Sequence, residues 1–290
     1  MEIRNVQKTG DMHYLYLPTS WCRDHKISSK SKVSIEQHSD GTLAVSPQIT
    51  EKKAKSLKLN IAEDDQEIIH KLVVACYINP LSSFEINFDK ELDFTKLLNQ
   101  KRLISLESVE IDKKQITCNG AASVSDPESL LKTMTKKIKN MINVMQKSYN
   151  KELIERYEDE IDRSKMLIDK SIISSLTFER TTSAKTIDLY YISLISKDLE
   201  RMVDHLILIS NREHEFLELI YEVISQLQVI IENTSALNHK AALQFIKKLS
   251  KIKPLEVKNV RSYDKERTRL SLTTIAEVIT DWAITREIEH

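Results

Sequence analysis

Glycine and proline are nearly missing from this chain, with 3 and 5 among 290 residues. So few residues that accept a positive φ or break a helix argue against loop-rich all-β architecture and favour long helices. Cysteine is scarce and odd in number: Cys22, Cys76 and Cys118 stand far apart. That number and spacing suit a reducing compartment and match no metal-ligand pattern. An excess of one charge is missing too, with 43 basic against 43 acidic residues. A nucleic-acid or membrane role therefore needs a local patch, because net charge supplies none. No apolar run approaches the roughly 18 residues of a membrane span. The start, MEIRNVQKTGDMHYLYLP, has no apolar signal core. A cytoplasmic protein without membrane insertion is expected. There is no Gly-rich phosphate loop, and no Ser–His–Asp or Cys–His arrangement, so no enzyme is expected.

What is present changes texture twice along the chain. Residues 1–48 alternate with period two: MHYLYLP, KVSIEQH and TLAVSP read as strands, and Asp40-Gly41 is a hairpin turn signal. Thr19 to Lys26 reads as one or two helical turns. Two short hairpins are marginal in water, so this unit calls for a partner surface, and a second copy of the chain is the simplest one. Residues 49–122 read as a small mixed α/β unit. SLKLNI, SFEINF and ESVEID are strand-like. Asp64, with Glu67 three residues on, opens a helix through IIHKLVVACYI that stops before Pro80. A short helix is expected over 94–99.

Residues 123–290 read as an antiparallel helical bundle. Asp126-Pro127-Glu128 combines a capping side chain, a proline at the first helical position and an acid in the first turn. Helices are predicted over 127–149, 151–172, 186–210, 213–235, 238–252 and 263–287. The fold class is thus multi-domain and mainly α, with a β-hairpin unit, a small α/β unit and a helical bundle.

Two acid pairs stand out in the bundle. On a helical wheel, KDLERMVDH places Ile195, Leu199, Met202, Val203 and Leu206 on an apolar face, with Lys197, Asp198, Arg201 and His205 opposite. Glu200 and Asp204 fall at the edge between the faces. In IERYEDEIDRSKMLI the apolar face is Ile154, Tyr157, Ile161 and Ile168, and Glu158 and Asp162 take the matching flank. Like charges four residues apart weaken a helix by a few tenths of a kcal/mol. A shared cation would offset that cost. Four hard oxygen donors suit Fe, Mn, Mg or Zn; the alternative is a solvated helix rim. A di-iron enzyme would add Glu-x-x-His, but Ile161 and Val203 occupy the histidine positions.

LERMVDH followed by LILIS resembles the helix signature of PhoU-type phosphate-signalling proteins, and ERYEDEIDR resembles its companion motif. The likeness covers about residues 126–290. It implies an antiparallel bundle whose acid pairs bind metal ions, here Glu158 and Asp162 with Glu200 and Asp204. The first bundle helix, LLKTMTKKIKNMINVMQKSYN, departs from that pattern in being basic and carrying no acid pair. RNVQKTG, YLYLPTSW, KVSIEQ, DG and LAVSP resemble the swapped-hairpin DNA-binding domain of the AbrB and SpoVT type. That likeness implies an interleaved dimer presenting Arg4, Lys8, Arg23 and Lys26 to DNA. Residues 1–48 hold six Lys and Arg against five Asp and Glu, so any affinity depends on placement and on doubling in the dimer. Tyr14, Tyr16 and Trp21 read as core or dimer-interface residues rather than base-stacking ones. His13, His25 and His38 are isolated and are not expected to be ligands.

The combination resembles PhoU-related regulators of the archaeal kind. It implies a homodimeric, metal-binding transcriptional regulator of phosphate uptake. The alternative is an adaptor that docks on the ATPase subunit of a phosphate ABC transporter, or on another phosphate-signalling protein, and uses its hairpins only to dimerise.

Overall fold

The computed structural model describes residues 3–37, 41–47, 56–81, 83–92, 109–112, 114–119, 126–177, 184–209 and 212–289. Two compact units result, 1–53 and 54–290. The chain is mainly helical, with small sheets in its N-terminal and middle parts. No helix among the described residues is long and apolar enough to cross a membrane.

The first unit holds two antiparallel hairpins. β1 (Gln7–Thr9) pairs with β2 (Met12–Tyr14), with Thr9 opposite Met12. Gly10 at φ 61° occupies the first turn position. A positive φ there alone is what a type II′ turn needs, and glycine takes it without a Cβ clash. β3 (Ser34–Gln37) pairs with β4 (Leu43–Ser46), with Gln37 opposite Leu43. The predicted turn residue Asp40 lies outside the described residues. α1 (Thr19–Asp24) lies between the hairpins. No described residue of this unit is buried.

In the second unit, β5 (Ser56–Ile61), α2 (Gln66–Ile78) and β6 (Ser83–Phe88) form a β-α-β crossover, with β5 parallel to β6. β7 (Val109–Asp112) and β8 (Gln115–Asn119) complete a sheet in the order β5-β6-β8-β7. The central strand β6 shows the expected alternation. Phe84, Ile86 and Phe88 point to one face and are buried with Ile69 and Val73 of α2. The cap of α2 differs from the sequence expectation by one residue. Asp65 accepts hydrogen bonds from the amides of Glu67 and Ile68 at 2.8 and 3.2 Å. Asp64 instead pairs with Lys90 at 2.5 Å. The predicted helix over 94–99 falls outside the described residues.

Six helices follow: α3 (Pro127–Lys147), α4 (Lys151–Thr177), α5 (Thr186–Leu206), α6 (His214–Glu232), α7 (His239–Leu249) and α8 (Val260–Glu289). They pack in a closed cycle, α3-α4-α5-α8-α7-α6 and back to α3, around one continuous apolar core. The capping chemistry anticipated for α3 is present: the Asp126 carboxylate accepts from the Ser129 amide at 2.9 Å, with Pro127 in the first turn. Glu128 goes further, accepting a hydrogen bond from the Thr234 hydroxyl at 2.8 Å and so tying α3 to the end of α6.

α4 joins the two halves of this unit. Met166 belongs to the α/β core rather than to the bundle core. Lys170, buried on the same helix, sets its ammonium 3.9 Å from the centre of the Tyr77 ring of α2. A cation placed over an aromatic face in a desolvated site contributes about 2 kcal/mol. The sheet layer and the bundle therefore share α4.

Candidate metal centre

α4 and α5 pack side by side, and each turns one flank of its apolar face toward the other. The result brings together Asp162, Glu200 and Asp204, each offering a carboxylate oxygen within 4.8 Å of the others. Three of the four residues expected from the sequence thus meet. Glu158 is not in the group; it lies one turn earlier on α4, roughly 6 Å along the axis. The three carboxylates grade from closed to open: Asp162 is 7% exposed, Glu200 half-buried, and Asp204 the most accessible.

Three hard oxygen donors with no thiolate form a ligand set for a divalent or ferric cation. Their chemistry fits such an ion because two further carboxylates crowd one that is already out of water. Among the described residues this is the group of His, Cys, Asp and Glu whose geometry could hold a metal.

The wheel assigned Asp198 to the solvent-facing side, and the structure corrects this. Asp198 is 8% exposed. Burial pushes its carboxyl pKa up, against the partly compensating Arg201 guanidinium 3.4 Å away. The reason is that α5 is enclosed on more sides than an amphipathic surface helix, since α3, α4 and α8 all pack on it. His205, assigned to the same polar side, is also half-buried. Its Nδ1 lies 3.0 Å from the buried Asp264 of α8, and the Arg267 guanidinium donates toward its Nε2 at 3.5 Å. The turn Asp204-His205 thus faces two ways, the aspartate to the carboxylate cluster and the histidine to α8.

A cavity of about 180 Å3 adjoins the cluster. Asp162 and Glu200 line it from the bundle, and His70, Val74 and Ile78 line it from α2. Lys165 and Asp169 form an ion pair on its wall. His70 went unnoticed in the sequence. The only available signal was the i, i+4, i+8 series His70, Val74, Ile78, a single stripe of α2. Nothing in that stripe says that it faces α4.

The nucleic-acid candidates are spread over the first unit. Lys8 lies on β1 opposite His13. Arg23, on α1, is exposed, 3.9 Å from Asp24. Arg4 precedes β1 and is half-buried. Lys26 ends α1 at φ 54°, the one non-glycine among the described residues with a positive φ. Its amide closes on the Arg23 carbonyl at 3.1 Å, and the Ile27 amide on the Cys22 carbonyl at 2.7 Å. This is a helix-ending geometry in which glycine is the usual residue. Tyr14 and Tyr16 are exposed, with the Tyr16 hydroxyl 3.2 Å from Gln7 Oε1, and the Trp21 ring packs on His25 at 5.3 Å.

The chain matches no protein-family model, no curated protein and no solved structure.

Proposed function

We propose that this protein is a homodimeric DNA-binding regulator of phosphate uptake, with a metal-binding helical bundle as its sensory part. The observation that carries the reading is the state of the first unit. Its hairpins expose Ile3, Val6, Met12, Leu15, Ile35 and Leu43, and none of its described residues is buried. A hairpin pair of this size has no core of its own, and apolar side chains left in water mark a surface completed by a partner. A second copy supplying the same hairpins would give each chain the missing half of a core. It would also double the cationic residues Arg4, Lys8, Arg23 and Lys26 on one assembly.

Lys26 supports this assignment from a second direction. A side chain in the left-handed region costs about 1–2 kcal/mol relative to the right-handed one. Strain of this kind, where a glycine would remove it, points to a side chain kept for its chemistry.

In the bundle, Asp162, Glu200 and Asp204 would hold the ion. A bound cation would offset the repulsion among three crowded carboxylates and fasten α4 to α5. Fe, Mn, Mg and Zn all accept oxygen donors, and the absence of thiolate from the set favours the harder ions. The role is structural or sensory: neither acid pair carries the histidine spacing of a di-iron oxidase. The link to phosphate rests on the resemblance of LERMVDH and ERYEDEIDR to PhoU-type motifs. The near-neutral charge of the hairpin unit favours a second reading, an adaptor that dimerises through the hairpins and docks on a phosphate transporter ATPase or another phosphate-signalling protein.

DNA occupancy in the native cell, with and without phosphate starvation, separates the two. Enrichment upstream of phosphate-transport genes that changes with phosphate is the expected result. A folded, dimeric protein with no such enrichment would leave the adaptor in its place.

A further inference from the structure

The longest helix, α8, is apolar on two faces. Its inner face, including Leu272, Ile275, Ile279 and Trp282, fills the bundle core. Its outer face is a second stripe running in steps of three and four residues. Val260, Tyr263, Leu270, Ile284 and Ile288 are exposed along it, with Val260 at 75% and Ile288 at 80%. Arg267, Thr274, Glu277 and Asp281, also exposed, complete the same stripe. Its length from Val260 to Ile288 is about 42 Å at 1.5 Å per residue. A helix with apolar residues on a second, exposed face has a surface that something else covers. Beside the stripe, between α7 and α8, runs a groove of about 350 Å3, lined by Ile246, Leu249 and Ala276 and bordered by Glu277 and Asp281.

The order of charges along the stripe identifies the occupant. In a two-fold contact, a residue i meeting j on the partner implies j meeting i. Two copies of α8 laid antiparallel about Thr274 set Val260 opposite Ile288 and Arg267 opposite Asp281, each pair occurring twice. Glu277, one turn from Asp281, adds a second acid near the same arginine. Laid parallel and in register, the helices would set Arg267 against Arg267 and Asp281 against Asp281, and like charges facing each other are destabilising. Read from its two ends, the stripe matches apolar with apolar at Val260/Ile288 and Tyr263/Ile284 and positive with negative at Arg267/Asp281; Leu270 falls nearest Glu277, the one position that does not match.

We infer that the outer face of α8 is an interface with a second copy of this chain, formed by antiparallel pairing of the two α8 helices about Thr274. This interface belongs to the bundle and is additional to the hairpin contact proposed above. It would give the dimer a second fastening, at the helix that His205 joins to the turn bearing Asp204.

The test uses the full-length chain with Cys22→Ser, which removes the half-buried native thiol and leaves Cys76 and Cys118 in the α/β core. Thr274→Cys in that background, treated with a short bismaleimide at low protein concentration, is expected to give a covalent dimer. Arg267→Glu and Asp281→Arg should each abolish the crosslink, and the two together should restore it, which a merely misfolded variant would not do. Absence of the crosslink in Thr274→Cys, or a crosslink indifferent to the single charge reversals, would overturn the interface. The readout is independent of DNA. A chain that binds no DNA yet shows the charge-dependent crosslink upholds this contact and removes only the regulator reading.

Discussion

The hairpin unit and the helical bundle solve the problem of burying apolar surface in opposite ways. In the bundle, six helices enclose one core in which Leu131, Ile138, Ile195, Leu227 and Phe245 have no exposed surface. The core faces of the six helices are covered by one another within the same chain. In the hairpin unit, strands of three or four residues present apolar side chains to water, with none buried among the described residues. The bundle has an apolar core within the chain, and the described hairpin residues have none.

The sharpest way to break this contrast is to damage each side in turn. Trp282 is 1% exposed, and its indole donates to the Asp188 carboxylate at 2.7 Å, which also pairs with Arg286 at 3.1 Å. Trp282→Ala removes a buried aromatic and leaves that ion pair beside a cavity. A loss of about 3–5 kcal/mol is expected in denaturant unfolding of the bundle. Leu43→Asp in the hairpin unit should leave that transition unchanged and weaken self-association in sedimentation, with the α8 contact as the one that remains. A shared loss of bundle stability in both variants would show that the two parts are not separable.

A smaller effect is expected at the carboxylate cluster. Saturating metal at about 100 times its Kd should raise the unfolding free energy of the wild-type chain by about 2.7 kcal/mol. Glu200→Ala with Asp204→Ala should remove that increment and lower the metal content measured by elemental analysis. Unchanged metal content would place the ion elsewhere. Glu158→Ala, outside the group of three, is expected to retain most of the metal.

Lys26→Gly sharpens the comparison within the hairpin unit. Glycine adopts the positive φ without strain, so stability should hold or rise by about 1 kcal/mol. DNA affinity should fall and its salt dependence become shallower, because one phosphate contact per chain is lost. Equal affinity at all salt concentrations would exclude Lys26 from the contact.

The smallest expected effect is a pH dependence inside the bundle. Glu266 receives a bidentate hydrogen bond from the Arg269 guanidinium, at 2.6 and 2.9 Å, which holds its carboxyl below the ordinary 4.5. A carboxyl depressed on folding stabilises the native state above its unfolded pKa and loses that contribution as pH falls through the folded value. Glu266→Gln should therefore flatten the acid limb of the stability profile below about pH 4.5.

Much of this architecture was legible in order along the chain. Asp126-Pro127-Glu128 marked the start of α3, and SFEINF marked the strand at the centre of the sheet, because capping and alternation act through neighbouring residues. The bundle helices lie where the 3.6-residue pattern put them, with ends moved by a few residues. The α2 cap was misplaced by one because Asp64 and Asp65 are equivalent candidates in sequence. The choice fell to Lys90, 26 residues away, which draws Asp64 aside. The site was legible in part for the same reason. Glu200 and Asp204 are placed on one flank by the helix alone, and so are Glu158 and Asp162, yet which pair of turns meets depends on how α4 crosses α5.

Local terms could be read from contiguous residues: helix against strand, the Asp126 cap of α3, and the flank on which each carboxylate stands. These follow from φ/ψ preference and period, which are properties of contiguous residues. Only the tertiary structure decided that Asp198 is buried, that His70 faces the acids of α4 and α5, and that one face of α8 stays open. Burial is a relation between surfaces distant along the chain, and a wheel drawn for one helix contains no information about how many neighbours enclose it.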